Sequence, residues 1–277
     1  MSARGRVLSG LVTIVVALAG FLGLGALPAA ASPPTIQYVA LGDSYAAGTA
    51  AGSFPNCQQS TNGYPALLDS EKSIHLRANA TCSGATTSSV ATTQLSALNR
   101  GTRLVTVTVG AANLGLSGVL AVCSDPTRTL DCLAAIQNVR DVLLPALGSD
   151  LTDLYAEVGV AAPKALILVT GYPHLFASAP PPPYDPVVAA AVNSAIDQLN
   201  QTIEDAVDAQ PASVHIVYVG VTGVFGEHGI GGELPPFINP PGTADAFHPN
   251  AAGYVAYAAA ISAALPAAWL AEQTRMA

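Results

Sequence analysis

Ile36-Gln37-Tyr38-Val39-Ala40-Leu41-Gly42-Asp43-Ser44-Tyr45 is the stretch on which the reading of this chain turns. An apolar run of strand length stops in Gly-Asp-Ser, where the glycine permits a tight turn and the serine opens the next helix. Four more runs rich in Val, Ile, Leu and Thr follow: Ile74 to Ala78, Leu104 to Val109, Ala165 to Val169, and Val214 to Val219. The segments between them have room for helices at Tyr64 to Lys72, Ser88 to Leu98, Leu130 to Leu147 and Val187 to Ala209, with an Ala-rich final helix from Asn250 to Ala264. Apolar strands alternating with helices imply an α/β fold with a parallel sheet covered on both faces. Two stretches break the rhythm, Ser178 to Pro186 with its run of four prolines at Pro180 to Pro183 and the Gly- and Pro-rich Phe225 to Thr243, and both are expected to be surface loops.

In an open parallel sheet, ligands bind beyond the carboxyl ends of the strands. The strands run there into Gly42-Asp43-Ser44-Tyr45, Cys82-Ser83-Gly84, Gly110-Ala111-Ala112-Asn113 and Gly171-Tyr172-Pro173, and the segment after the fifth reaches Asp245-Ala246-Phe247-His248-Pro249 ahead of the last helix. A serine hydroxyl becomes a nucleophile when a histidine takes its proton and a third group holds the imidazole. Ser44 is the candidate nucleophile, although a serine in this position also serves simply as a helix cap. Asp245 and His248 are three residues apart, so the carboxylate is expected to reach Nδ1 and leave Nε2 facing Ser44; the plain alternative is that Asp245 caps the final helix. Of the other histidines, His75 and His215 are read as strand residues, while His174 and His228 lie on loops able to line the cleft.

The chain has 277 residues, 51% hydrophobic and 10% charged, enough apolar material for one large domain. Arg4 and Arg6 precede an uncharged apolar run from about Val7 to Leu27, followed by Pro28 and Ala29-Ala30-Ala31. That is the layout of a secretory signal peptide over residues 1–31, cut after Ala31, rather than of a membrane anchor, with residues 32–277 as one secreted domain lacking a membrane span. The formal charge of -8 becomes -10 without those two arginines, which disfavours nucleic acid as a partner. Cys57, Cys82, Cys123 and Cys132 form an even set in an exported chain and read as two disulfides, not as a metal site. Three connectivities exist; the sequential one, Cys57 to Cys82 and Cys123 to Cys132, closes short loops and is the expectation.

Taken together, these motifs resemble the GDSL family of the SGNH hydrolase superfamily, in its secreted actinobacterial form, over essentially the whole mature chain. Tyr38 to Tyr45 resembles the family's first block, Gly84 matches the second-block glycine, and Asp245 with His248 matches the fifth-block D-x-x-H pair followed by Pro-Asn-Ala-Ala-Gly. The resemblance implies a three-layer α/β/α sandwich of flavodoxin-like topology around five strands, and ester hydrolysis without metal or organic cofactor. It also implies a Ser44, His248, Asp245 triad, and an oxyanion hole of the Ser44 and Gly84 backbone N–H groups plus a third-block Asn side chain. The third block departs from the pattern: Ala112 stands where the Asn is expected and Asn113 where an Asp is. Asn113 is then either the substitute donor or a helix cap. A monomer acting on a small-molecule, lipid or glycan ester is the expected enzyme; a binding protein on a degenerate scaffold, or an acyltransferase with the same triad, is the alternative.

Overall fold

β1 (Ile36–Gly42) is buried along almost its whole length because it lies inside the sheet with helices above and below. The structure, a computed structural model, describes residues 35–276 except 53, 55 and 72, so the expected signal peptide at 1–31 lies outside the described residues. β2 (Ile74–Asn79), β3 (Leu104–Thr108), β4 (Leu166–Thr170) and β5 (Ile216–Val219) complete one sheet in the order β2-β1-β3-β4-β5. Every pairing is parallel. The interior strands β3 and β4 are buried at each residue, whereas the edge strands β2 and β5 carry polar and exposed positions.

Parallel crossovers are right-handed almost without exception, so the direction in which the chain steps across the sheet decides which face each helix covers. The step from β1 out to β2 carries α1 (Ser44–Ala47) and α2 (Tyr64–Asp69). The later steps run the opposite way, through α3 (Thr87–Ser89), then α4 (Leu116–Cys123), α5 (Thr129–Asn138) and α6 (Leu144–Ala161), then α7 (Pro186–Asp208). Helix packing agrees: α2 contacts α9 (Ala251–Ala264), which contacts α8 (Thr222–Phe225), while α6 packs against α3 and α7. α10 (Ala267–Met276) ends the described chain. The result is the expected three-layer α/β/α arrangement.

α7 illustrates how sequence dictates an element. Asp185 accepts hydrogen bonds from the N–H groups of Val187 and Val188, and Pro186 occupies the first turn, where its missing N–H costs nothing. Val188, Val192, Ile196, Leu199 and Ile203 then recur at helical spacing and are all buried. Each such side chain stabilises the fold by roughly 1.5–3 kcal/mol of apolar transfer.

Several boundaries differ from expectation. The helix read at Leu130 to Leu147 runs on as α5, a wide π turn at Val139–Leu143, and α6 to Ala161. Pro145 cannot donate back into the preceding turn, and the backbone widens directly ahead of it. The helix read at Ser88 to Leu98 begins at Thr87 and loosens into a π turn (Val90–Gln94) and a 3-10 turn (Leu95–Ala97). α4 was not anticipated, because Leu116 to Cys123 is short and apolar without a one-sided period. β5 starts at Ile216, so His215 lies just ahead of it. Within the two expected loops, α8 ends at Phe225 and α7 begins at Pro186. Both disulfides follow the sequential pairing, Cys57 to Cys82 and Cys123 to Cys132.

Candidate active site

A sheet ordered 2-1-3-4-5 has its switch point between β1 and β3, where the chain first steps one way and then the other; the crevice opens at the carboxyl ends of these strands. β1 ends there in Gly42, whose φ of +131° and whose position against the Thr108 carbonyl, 2.1 Å from where a Cβ would sit, exclude any other residue. The buried Gln94 side chain clamps this turn, Oε1 accepting from Gly42 N–H at 2.7 Å and Nε2 donating to the Gly42 carbonyl at 3.0 Å. Asp43 caps α1 through Tyr45 N–H at 3.0 Å, which leaves Ser44 as the first residue of the helix, at the mouth of the crevice.

His248 arrives from the far end of the chain. A short antiparallel bridge between Ile238 and Pro249, with Asn239 N–H donating to the His248 carbonyl at 2.9 Å, fixes the segment, and Asn250 caps α9 immediately after it. Tyr45 closes the join: its hydroxyl donates to the Phe247 carbonyl at 2.5 Å, and its ring lies 5.3 Å from the imidazole. Phe247 itself has φ +66°, a strained conformation for a bulky residue that turns His248 inward. Nε2 of His248 stands 2.8 Å from Ser44 Oγ, so the expected pair meets across 204 residues of sequence.

The other expected members are arranged differently. Nδ1 of His248 meets the backbone carbonyl of Ala246 at 3.1 Å, and it is not the Asp245 carboxylate that partners it. Asp245 uses its main-chain carbonyl to accept His248 N–H at 3.3 Å, a turn that leaves the residue exposed at the rim of the crevice. Its charge still acts on the ring: burial pushes the His248 pKa down, and the Ala246 carbonyl and Asp245 oppose that shift. Asn113 does not line the crevice. Its Oδ1 accepts from Thr87 N–H at 3.0 Å and its Nδ2 donates to Thr87 Oγ1 at 2.8 Å, so its side chain caps the first turn of α3. Gly84, at φ +80° with open space where a Cβ would sit, and Ala112 both line the crevice beside Ser44 and His248.

Residues 40–256 match the GDSL-like lipase/acylhydrolase family. The chain belongs to that family. A lipase of Streptomyces rimosus is 36% identical over 204 residues, covering 70% of this chain and 74% of the relative. The crystal structure of an extracellular lipase from Streptomyces rimosus superposes with a TM-score of 0.76 at 29% identity, covering 83% of this chain and all of that one (100%). Phospholipase A1 from Streptomyces albidoflavus NA297 gives a TM-score of 0.75 at 29% identity with the same coverage, 83% and 100%. The GDSL chain is accordingly a carboxylic ester hydrolase.

The crevice of this GDSL hydrolase has a volume of about 470 Å³. Leu116, Leu120, Leu175 and Ile196 form one wall and also the entrance to a narrow, wholly apolar slit of about 20 Å³ bounded by Val119, Ile136, Val139 and Ala195. On the other side of Leu120 a groove of about 220 Å³ runs past Phe176 and Tyr184. Leu175, Phe176 and Tyr184, around the proline-rich loop, therefore flank the site. His174 and His228 do not: the first pairs with Asp197 at 2.6 Å, and the second stacks on Phe237 with ring centroids 3.8 Å apart. Among the described residues no group of three or more His, Cys, Asp or Glu is placed to hold a metal ion.

Asn113→Ala tests the capping assignment. Loss of this cap should lower stability by about 0.5–2 kcal/mol in denaturant melts while kcat stays within a few-fold of the parent. A selective fall in kcat without a fall in stability would return Asn113 to the oxyanion hole.

Proposed function

We propose that this hydrolase is secreted and cleaves esters carrying an apolar acyl chain, with Ser44 as nucleophile and His248 as general base. The 2.8 Å approach of Nε2 to Oγ carries the proposal, since a base must lie within hydrogen-bond reach of the proton it removes. Ser44 Oγ attacks the acyl carbon as its proton passes to Nε2, and the alcohol leaves with that proton. Water, deprotonated in turn by His248, then attacks the acyl-enzyme and releases the acid. The Ala246 carbonyl holds Nδ1–H and so sets the tautomer, while Asp245 adds its charge from the rim. Depression of the imidazole pKa by burial keeps His248 neutral, and therefore basic, at neutral pH. The N–H groups of Ser44 and Gly84 receive the oxyanion. Every group in this mechanism comes from one chain, so a monomer suffices.

The apolar slit behind Leu116 and Leu120 supports the acyl preference. The test is kcat/KM across an ester series of increasing acyl length, with Ser44→Ala as blank. Ala195→Leu, which fills the slit, should spare the acetyl ester and depress longer esters; exclusion of one methylene from a slit of about 20 Å³ corresponds to about 0.8 kcal/mol, or roughly fourfold. An equal effect on all lengths would remove the slit from substrate recognition.

Secretion rests on the leader-like residues 1–31, the two disulfides and the extracellular lipase among the similar structures. The exported protein should have the intact mass of a chain starting at Ser32 with all four cysteines oxidised. A product retaining Met1, or four thiols open to alkylation, would contradict it.

A further inference from the structure

Asp43 and Tyr172 lie beneath the crevice, and the chemistry proposed above leaves both unused. Asp43 is 1% exposed and has each carboxyl oxygen engaged, Oδ1 by Tyr45 N–H at 3.0 Å and Oδ2 by the Tyr172 hydroxyl at 2.5 Å. The same hydroxyl oxygen accepts the Ala111 N–H at 3.1 Å. Tyr172 is itself held: Asn200 accepts its N–H at 2.7 Å and donates to its carbonyl at 2.8 Å, and the Tyr45 ring meets it edge-on at 5.0 Å. One phenolic oxygen, carried past the end of β4, thus joins the turn after β1, which bears Ser44, to the turn after β3, which bears Ala111 and Ala112.

These two turns bracket the place where the acyl carbon must sit. In this chain the third-block turn brings no polar side chain to the crevice, because Ala112 has none and Asn113 is committed to Thr87. The main chain ties the strand ends together, Asp43 N–H donating to the Thr108 carbonyl at 2.8 Å, and beyond the strand ends the Tyr172 hydroxyl reaches from Asp43 to Ala111 in the third-block turn. Oδ1 serves as the cap of α1, while Oδ2 is given over to Tyr172; burial raises Asp43 to about 7, so the site keeps an acid that its surroundings penalise. The groups facing it are Tyr45, Tyr64, Tyr172, Tyr254 and Tyr257. Resting on the Ser44 mechanism, we propose that Tyr172 is a positioning residue which, through Asp43, holds the Gly110-Ala111-Ala112 turn in register with the nucleophile turn for the oxyanion-forming step.

The test compares Tyr172→Phe, Asp43→Asn and their double variant with a control, Tyr155→Phe, which also removes a buried tyrosine hydroxyl but one that makes no hydrogen bond among the described residues. An acetyl ester supplies kcat and KM, and thermal melts report folding. Tyr172→Phe is expected to lower kcat by about tenfold or more with KM within about twofold, the signature of misalignment felt in the transition state. The double variant should be no worse than the worse single one, because both substitutions cut one link. Tyr155→Phe should keep kcat. A folded Tyr172→Phe with kcat within about twofold of the parent, or losses that multiply in the double variant, would overturn the inference. If Asp43→Asn does not fold, the kcat and KM of Tyr172→Phe decide alone. A fluorophosphonate probe separates the two levels: an unlabelled Ser44 in the parent protein defeats the underlying mechanism, whereas a labelled Ser44 with an indifferent Tyr172→Phe defeats this inference only.

Discussion

Ser44→Ala is expected to lower kcat for ester hydrolysis by roughly five to six orders of magnitude, leaving KM and the thermal midpoint close to those of the parent. In the proposed mechanism this hydroxyl forms the covalent acyl-enzyme, and among the described residues it is the one hydrogen-bonded to His248 Nε2. Its removal spares the architecture around it, because the turn is built by other groups: Gly42 against Thr108, the Gln94 clamp and the Asp43 cap all persist. The residual rate, set in the proposed mechanism by binding and the backbone oxyanion donors, is the background against which the other variants are measured. A variant retaining more than about a hundredth of the parent kcat would assign the nucleophile to another residue.

His248→Ala should be nearly as damaging, and the Ser44→Ala, His248→Ala double variant no worse than either, since a nucleophile without its base and a base without its nucleophile fail at the same step. Asp245→Asn should cost less than about tenfold in kcat, because the Nδ1 bond belongs to the Ala246 carbonyl. It should show instead in the pH profile. Burial depresses the His248 pKa, so the acid limb of kcat/KM lies below the ordinary imidazole value; the Asp245 charge raises that pKa, and removing it should move the limb to lower pH still. Collapse of kcat in Asp245→Asn, comparable to His248→Ala, would restore the carboxylate as an obligatory third member.

What the sequence reveals here is whatever short-range chemistry determines. β1, β3 and β4 are legible because a strand buried on both faces must be apolar throughout, and Ser44 is legible because it follows Gly42, the one residue its backbone accepts, and the helix cap Asp43. The Asp245 and His248 spacing is legible too, yet three residues of separation allow two turn geometries, and the positive φ of Phe247 selects the one that directs Nδ1 to Ala246. Pattern alone leaves Asn113 open between oxyanion donor and helix cap because its partner, Thr87, lies 26 residues away in the first turn of another helix. Gln94 on Gly42, Tyr172 on Asp43 and Tyr45 on Phe247 span 52, 129 and 202 residues, and no local signal marks any of them. α4 stays hidden for a different reason. None of its residues is fully buried and its apolar side chains face more than one way, so it lacks the one-sided stripe by which a helix is recognised.

The most direct test of the central claim is covalent capture. The protein is treated with a fluorophosphonate, digested and mapped by mass spectrometry, with His248→Ala alongside. One phosphonyl group per chain is expected, carried by Ser44, with labelling slowed by orders of magnitude when His248 is absent. No labelling of the active protein, labelling at another serine, or equal labelling rates with and without His248 would contradict it.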